Sequence, residues 1–208
     1  MATKLQDHWE KVYAGKAPTE LTWFQKKPET SLSLIRQAGL RADARILDVG
    51  GGASLLPAFL LREGLQNLSI LDVSGRALDI AQAQLGSEAK GVEWFEADLL
   101  SFEPPHGWDL WHDRAMFHFL TSREDREAYR RVLAKGLEPG GHLIIATFSL
   151  DGPTRCSGLD CVRYSPDTLS DELGSGFRLR GSLTEAHRTP SGGFQNFLYS
   201  WFQRDSAG

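Results

Sequence analysis

Short apolar runs alternate with amphipathic stretches along the first 150 residues of the chain. Three of the apolar runs end in an acidic residue, at Asp48, Asp72 and Asp98, and a fourth run over residues 108–112 is shorter and aromatic. The stretches between them, such as residues 55–63, have the spacing of amphipathic helices. Because strands that alternate with helices form a parallel sheet covered on both faces, this pattern predicts an α/β fold.

Serine residues mark the beginnings of three predicted helices, since a serine side chain can accept a hydrogen bond from the first helical turn. Ser74 precedes a helix over residues 77–85, and Ser122 precedes a charged helix over residues 123–135. Ser165 is followed by proline, which favours the first turn of a short helix ending at residue 173. These caps predict where the helices enter the fold.

The last third of the chain predicts antiparallel strands in place of the alternating strands and helices. Residues 177–187 and 194–203 are predicted to be strands, and the Thr-Pro-Ser-Gly-Gly turn between them favours an antiparallel C-terminal hairpin. We therefore expect a single domain over residues 1–208. Its parts are an N-terminal helical or lid segment (1–39), a cofactor-binding core (40–150), and a loop, short helix and hairpin (151–208).

Composition narrows the choice of partners and compartment. The chain has 208 residues, 41% of them apolar, and a net charge of −4, which gives no electrostatic reason to expect nucleic acid. No run of 18 apolar residues and no secretory leader is present, so no membrane association is expected. The two cysteines, Cys156 and Cys161, are too few for a metal site, and a reducing cytoplasm is expected.

The glycine turn after the first strand carries the strongest chemical signal. Residues 44–54 read Ala-Arg-Ile-Leu-Asp-Val-Gly-Gly-Gly-Ala-Ser, a strand that ends in an acid and passes into glycines. Such a turn lets the backbone approach a ligand closely. The dinucleotide fingerprint would require glycine at position 55, where Leu55 stands, and a phosphate loop would require Gly-Lys-Ser/Thr. A nicotinamide oxidoreductase is therefore disfavoured.

This turn resembles the Asp/Glu-x-Gly-x-Gly-x-Gly motif of class I S-adenosylmethionine-dependent methyltransferases. Asp48, Gly50 and Gly52 match, and Ser54 replaces the third glycine. The later order of Asp72, Asp98 and a Pro-Gly-Gly turn leading into a strand extends the resemblance over residues 40–150. It implies a Rossmann-like, mostly parallel seven-stranded sheet with helices on both faces and an antiparallel C-terminal hairpin. The implied cofactor is S-adenosyl-L-methionine, with S-adenosyl-L-homocysteine as the product.

The resemblance also implies roles for residues at the ends of the strands. The glycine turn would hold the cofactor, Asp72 its ribose hydroxyls and Asp98 its adenine amino group. The complete implied set is Asp48, Gly50, Gly51, Gly52, Ser54, Asp72, Val73, Asp98, Leu99 and His112.

The segment after the fourth strand is where this family places the acceptor. If the acceptor arrives protonated, a base is needed, and His112, Asp113 and His118 are the candidates. The structural alternatives are packing for His118 and an ion pair with Arg114 or a helix-start role for Asp113. For His112, the alternative is that its backbone carbonyl contacts the amino group of the cofactor. Arg114 would either neutralise an anionic acceptor or pair with Asp113.

Aromatic residues near the N-terminus are candidates for a lid over the site, or for simple packing against a sheet edge. They are Trp9, Tyr13, Trp23 and Phe24.

The acceptor class is left open by the sequence. DNA amino-methyltransferases carry Asn/Asp-Pro-Pro-Tyr/Phe after the fourth strand, which is absent here. The N-terminal aromatic residues resemble a family of protein-lysine methyltransferases, whose Asp-Lys-Gly only partly matches Asp113-Arg114-Ala115. We expect a small-molecule acceptor, with a protein-lysine acceptor as the alternative and a non-catalytic cofactor-binding module as a third hypothesis.

Overall fold

The computed structural model describes residues 4–206 and centres on a twisted sheet. Its seven long strands are β1 (Arg45–Val49), β2 (Asn67–Asp72), β3 (Glu93–Glu96), β4 (Trp108–Arg114), β5 (Leu137–Ser149), β6 (Phe177–Arg188) and β7 (Phe194–Arg204). The strand order is β3-β2-β1-β4-β5-β7-β6. The first five strands are parallel, and β7 pairs antiparallel with both β5 and β6. The predicted sheet and C-terminal hairpin are confirmed, and a two-residue strand, Arg163–Tyr164, adds an eighth member beside β5.

Six α-helices within the described residues accompany the sheet. They are α1 (Lys4–Gly15), α2 (Glu29–Gln37), α3 (Leu56–Arg62), α4 (Gly75–Leu85), α5 (Arg123–Gly136) and α6 (Pro166–Leu173). Between β3 and β4 the described chain forms only a 3-10 turn, Leu99–Ser101, and the Leu100 amide within this turn donates to Asp98 Oδ1. No helix within residues 4–206 is long and apolar enough to cross a membrane.

Alternation along the strands divides the core into two layers. Ile46, Ile70 and Ile144 face one side, where they pack with α2, α3 and α4. Leu47 and Ile145 face the other side, where they pack with α5 and α6. Adjacent strand residues therefore bury opposite faces, and the helices cover both, as expected for a parallel sheet.

The predicted serine caps are present. The Ser74 hydroxyl accepts from the Ala77 amide, Ser122 from the Asp125 amide and Ser165 from the Thr168 amide. Each cap satisfies a donor that the helix itself leaves unpaired. The predicted domain limits at residues 1 and 208 lie outside the described residues.

The strand order reverses between β1 and β4, which lie side by side at the centre of the sheet. The helix after β1 covers one face, whereas α5, which follows β4, covers the other. This reversal leaves a crevice beyond the carboxyl ends of the two strands, which is where open α/β sheets bind ligands.

Candidate active site

A cavity of about 470 Å³ fills this crevice. Its floor consists of the glycine turn and the ends of β2, β3 and β4, and residues 5–28 cover it. Of the residues singled out from the sequence, the cavity wall includes Trp9, Tyr13, Trp23, Phe24, Asp48, Gly50, Gly51, Ser54, Asp72, Val73, Asp98, Leu99, His112 and Arg114. Three segments far apart in sequence therefore meet at one site.

Two glycines of the turn have conformations that favour glycine. Gly50 has φ of 60° and Gly52 has φ of 46°. The Gly50 and Gly51 amides both donate to the Leu71 carbonyl, at 2.8 and 3.3 Å, which holds the turn against β2. A Cβ atom at Gly51 would lie 2.8 Å from Asp48 Oδ2 and 2.9 Å from Ile70 Cγ2. The turn therefore has no room for a side chain on the face that meets Asp48.

Asp48 links the glycine turn to β4 and α2. Its Oδ1 lies 2.7 Å from His112 Nδ1, and His112 Nε2 lies 2.9 Å from the Ser31 hydroxyl. Both ring nitrogens of His112 are therefore already engaged. Asp48 Oδ2 is buried and has no hydrogen-bond partner among residues 4–206. A buried acceptor of this kind is costly unless a donor reaches it.

Asp72 ends β2 as a buried carboxylate. One oxygen accepts from the Ser74 amide at 2.9 Å. Burial raises the pKa of Asp72 to about 7; backbone hydrogen bonds from Ser74 and Gly52 oppose this shift, and the nearby Asp48 charge adds to it. Hydroxyl donors on a ligand would favour the ionised form and offset this desolvation.

The glycine turn, Asp72 and Asp98 form one half of the cavity wall, which Ser54, Val73 and Leu99 complete. Asp98 Oδ1 accepts from the Leu100 amide at 3.0 Å. The Ser54 hydroxyl accepts from the Leu56 amide at 3.1 Å, so the residue that replaces the third glycine also supports the start of α3. Val73 and Leu99 contribute apolar wall.

Helix α1 is fastened over this half of the cavity. Glu10 Oε1 accepts from the Ser74 hydroxyl at 2.7 Å and from the Arg76 amide at 3.1 Å. Tyr13 is buried, and its hydroxyl occupies the space that a Cβ atom at Gly52 would need. Gly52 is thus covered by Tyr13 and does not reach the cavity wall, unlike Gly50 and Gly51.

Aromatic side chains form the other half of the cavity. The Trp9 ring lies 5.8 Å from Trp23 and 5.3 Å from Phe119, both edge to face. Phe24 also lines the wall. The sequence analysis did not identify Phe119, because nothing in the local sequence relates it to the N-terminal residues.

Arg114 stands at the end of β4 in this second half. Its Nε donates to the Tyr199 hydroxyl at 2.8 Å, and its Nη1 donates to the Trp23 carbonyl at 2.9 Å. The guanidinium carbon lies 4.6 Å from the centre of the Phe197 ring. The alternative that Arg114 pairs with Asp113 is therefore wrong, since adjacent strand residues point to opposite faces.

Comparison with known proteins identifies the family. Residues 46–141 match the family model described as a methyltransferase domain. The chain therefore carries a methyltransferase domain, and its fold is that of class I S-adenosylmethionine-dependent methyltransferases. A search of curated protein sequences finds no significant match to it.

Solved structures show the same fold as this methyltransferase. An S-adenosylmethionine-dependent methyltransferase from Anabaena variabilis ATCC 29413 superposes with a TM-score of 0.74 at 14% identity, covering 97% of this chain and 96% of that one. The N-methyltransferase NodS from Bradyrhizobium japonicum WM9, in complex with S-adenosyl-L-homocysteine, gives 0.68 at 17%, covering 97% and 99%. Burkholderia thailandensis 1,6-didemethyltoxoflavin-N1-methyltransferase, with 1,6-didemethyltoxoflavin and S-adenosylhomocysteine bound, gives 0.68 at 19%, covering 97% and 84%.

Two of the candidate bases of the methyltransferase lie away from the cavity wall. Asp113 is fully buried; its Oδ1 accepts from the Met116 and Phe117 amides, at 3.1 and 3.3 Å, and its Oδ2 accepts from the Tyr129 hydroxyl at 3.0 Å. Burial raises the pKa of Asp113 to about 6. These contacts make Asp113 an anchor for the turn after β4, so we revise its assignment as an acceptor base.

His118 is the second such residue. It is fully buried, stacks on Phe148 at 4.3 Å, and accepts from the Phe148 amide at 3.3 Å. Burial, together with the Arg114 charge, lowers the pKa of His118 to about 3. A neutral histidine enclosed in this way belongs to the core, which agrees with the packing alternative and not with proton transfer.

The cysteines of the methyltransferase are both free thiols. Cys156 lines the cavity, which the sequence did not indicate, whereas Cys161 is only partly buried. Burial raises the pKa of both thiols, that of Cys161 to about 12. Within residues 4–206 no group of three metal-ligating side chains is found.

Proposed function

We propose that this methyltransferase holds S-adenosylmethionine between the glycine turn, Asp72 and Asp98, and methylates a small molecule in the aromatic half of the cavity. One observation carries the proposal. The glycine turn and both carboxylates border the same cavity as Trp9, Trp23 and Phe119. The cofactor and acceptor sites are therefore adjacent, as a direct transfer requires.

The buried polar atoms of the first half fit this cofactor. Asp48 Oδ2 is buried without a donor among residues 4–206, and burial destabilises the ionised Asp72 carboxylate. An amino group and ribose hydroxyls are the donors that such acceptors need. We assign Asp72 with Val73 to the ribose, Asp98 with Leu99 to the adenine, and Asp48, Gly50, Gly51 and Ser54 to the remaining part of the cofactor.

When bound, S-adenosylmethionine supplies a methyl group on a positively charged sulfur, open to in-line attack by a nucleophile. The chain's contribution is to position the acceptor and exclude water, which supplies about 7–11 kcal/mol in favourable cases. His112 is held between Asp48 and Ser31, and Asp113 and His118 lie away from the wall. We therefore propose placement without a histidine base.

The volume and cover of the cavity favour a small-molecule acceptor. The cavity of about 470 Å³ has to hold the cofactor and the acceptor together, so the space left for the acceptor is that of a small molecule. NodS and the 1,6-didemethyltoxoflavin enzyme, similar in fold, are N-methyltransferases, the latter with 1,6-didemethyltoxoflavin bound. A protein-lysine acceptor would have to pass beneath α1, which Glu10 fastens to Ser74.

The division of the chain follows the same proposal. In the segment 1–39, residues 5–28 cover the site, and the segment 40–150 holds the cofactor. In the segment 151–208, Cys156 lines the cavity and Tyr199 accepts a hydrogen bond from Arg114. We place the protein in the cytoplasm, because a reducing compartment keeps free thiols such as Cys156 and Cys161 unpaired.

Two measurements test the proposed function. Calorimetry with S-adenosylhomocysteine should show binding, and labelled S-adenosylmethionine with separate metabolite and protein pools should label a small molecule. Absence of cofactor binding would refute the cofactor assignment. Label in a protein side chain would establish the lysine alternative, and binding without any labelled product would favour the non-catalytic module.

A further inference from the structure

Building on the proposed function, we propose that the acceptor is an aromatic or apolar molecule that carries an anionic group, and that Arg114 binds this group. The proposal rests on the charge lining the cavity, the partners of Arg114 and its place in the sheet. Arg114 would then determine specificity in the acceptor half.

Acidic residues outnumber basic residues on the cavity wall. Among the described residues that line it, Arg114 is the only lysine or arginine. The acidic members of the wall are Asp48, Asp72, Asp98, Asp125 and Asp160. The first three belong to the cofactor half, and a cofactor with a positively charged sulfur accounts for negative charge there. The Arg114 guanidinium is a cation and requires an anionic ligand instead.

The guanidinium group has no anionic partner within the described chain. None of the ion pairs among residues 4–206 includes Arg114, and its hydrogen bonds go to the neutral oxygens of Tyr199 and Trp23. Nη2 is buried and has no partner among these residues. A cation removed from water is costly unless an opposite charge compensates it.

The charge of Arg114 lowers the pKa of two nearby histidines. The pKa of His118 and that of His187 are both lowered, first by burial and then by the positive charge of Arg114. A carboxylate paired with Arg114 would cancel much of that field. The geometry and the charge balance therefore agree that the positive potential is available to a ligand.

The position of Arg114 in the sheet indicates that the anionic group it binds belongs to the acceptor. Arg114 pairs in register with Ala146 of β5, and its side chain reaches Tyr199 of β7. Asp72 ends β2, on the opposite side of β1. Trp23, whose carbonyl accepts from Arg114, belongs to the aromatic cluster. An apolar ring would thus pack on the cluster while its anionic group binds the guanidinium.

Paired ligands that differ in charge test the proposal. With S-adenosylhomocysteine at saturation, calorimetry would compare benzoate with benzamide and indole-3-acetate with indole-3-acetamide. The anions should bind wild type at least about tenfold more tightly than their amides. Arg114→Gln should remove this preference, a loss of roughly 10- to 100-fold for the anions, as for a hydrogen bond to a charged group.

Controls separate a local effect from misfolding. Lys27→Gln removes an exposed cation that does not line the cavity and should retain the preference. Arg114→Lys should retain part of it, because the charge remains while the planar donor geometry is lost. Both Arg114 variants should bind S-adenosylhomocysteine as wild type does, which shows that the fold is intact.

Three results would overturn the proposal: equal binding of anions and amides by wild type, no binding of any anion in the set, or an undiminished preference in Arg114→Gln. These failures are distinguishable from failure of the proposed function. In that case S-adenosylhomocysteine itself would not bind, whereas here its binding persists.

Discussion

The proposed cofactor half and the proposed acceptor half of the cavity are built in different ways. In the cofactor half, Asp48, Asp72 and Asp98 each lie at or just beyond the end of a parallel strand, and the sheet alone brings them together. In the acceptor half, Arg114 meets Tyr199, 85 residues away, and Trp23, 91 residues away. The first half depends on local patterns, whereas the second depends on how distant segments pack.

A substitution in the glycine turn should reduce cofactor affinity more than any other change considered below. Gly51→Val would place atoms against Asp48 Oδ2 and Ile70 Cγ2, both under 3.0 Å from the first added carbon. We expect affinity for S-adenosylhomocysteine to fall by more than about 100-fold, since the Asp48 carboxylate and the Ile70 side chain, both buried, must shift to make room. Calorimetry would measure this. Gly91→Ala is the matched control, because no atom lies within 4 Å of its added carbon. Near-normal affinity in Gly51→Val would place the cofactor elsewhere.

Substitution of Asp113 tests whether this residue acts as a base in the acceptor half. Asp113→Ala removes the acceptor for the Met116 and Phe117 amides and the Tyr129 hydroxyl. The free energy of unfolding should fall by about 3 kcal/mol, because buried donors lose their partner. Denaturant unfolding would measure it. Tyr129→Phe removes one of the three bonds to Asp113 and also the acceptor of the buried Trp111 indole N–H, so it should lose about 1–3 kcal/mol. Unchanged stability with a rate loss of about 100-fold would restore Asp113 as a base.

Asp72 should link cofactor affinity to pH. Its folded pKa is raised to about 7, so the free carboxyl takes up a proton as the pH falls below that value. Only the ionised form accepts from two ribose hydroxyls, so affinity should weaken toward acid, by up to about tenfold per pH unit. Asp72→Asn should weaken binding by roughly 1.5–3 kcal/mol above pH 7 and lose this dependence.

Calorimetry between about pH 6 and pH 8 would follow this titration, because the window brackets the raised pKa. The exposed Asp79 on α4 offers the control variant Asp79→Asn, which should keep both the affinity and its pH dependence. Affinity that is independent of pH in wild type would show that Asp72 does not accept from the cofactor.

The cysteines should have the smallest effect. Cys161 is only partly buried, and its thiol makes one weak contact, 3.8 Å to the Leu159 carbonyl. Cys161→Ser should change the free energy of unfolding by less than about 0.5 kcal/mol and leave turnover unaltered. Loss of activity in this variant, or its dependence on added zinc, would contradict the account.

Local patterns were sufficient for the fold and for much of the cofactor half. Period-two and helical spacing, together with the caps at Ser74, Ser122 and Ser165, predicted the elements because each signal acts within a few residues. The placement of Asp48 and Asp72 followed from the topology of a parallel sheet. Their roles toward the cofactor stay predictions.

The misplaced assignments share a physical cause. Asp113 lies near the end of β4 and His118 follows the strand, as acceptor residues would. The direction of each side chain, however, depends on the strand's pleat and on Tyr129 and Phe148. The cover of Gly52 by Tyr13 likewise arises from the packing of α1. No local signal in the sequence carries such information.

The division of the cavity into two halves is tested most directly by one pair of affinities. Calorimetry would give the Kd of S-adenosylhomocysteine for Asp72→Asn and Arg114→Gln side by side above pH 7. The account predicts a loss of roughly 10- to 100-fold in Asp72→Asn and no change in Arg114→Gln. The opposite result, with affinity lost in Arg114→Gln and retained in Asp72→Asn, would contradict it.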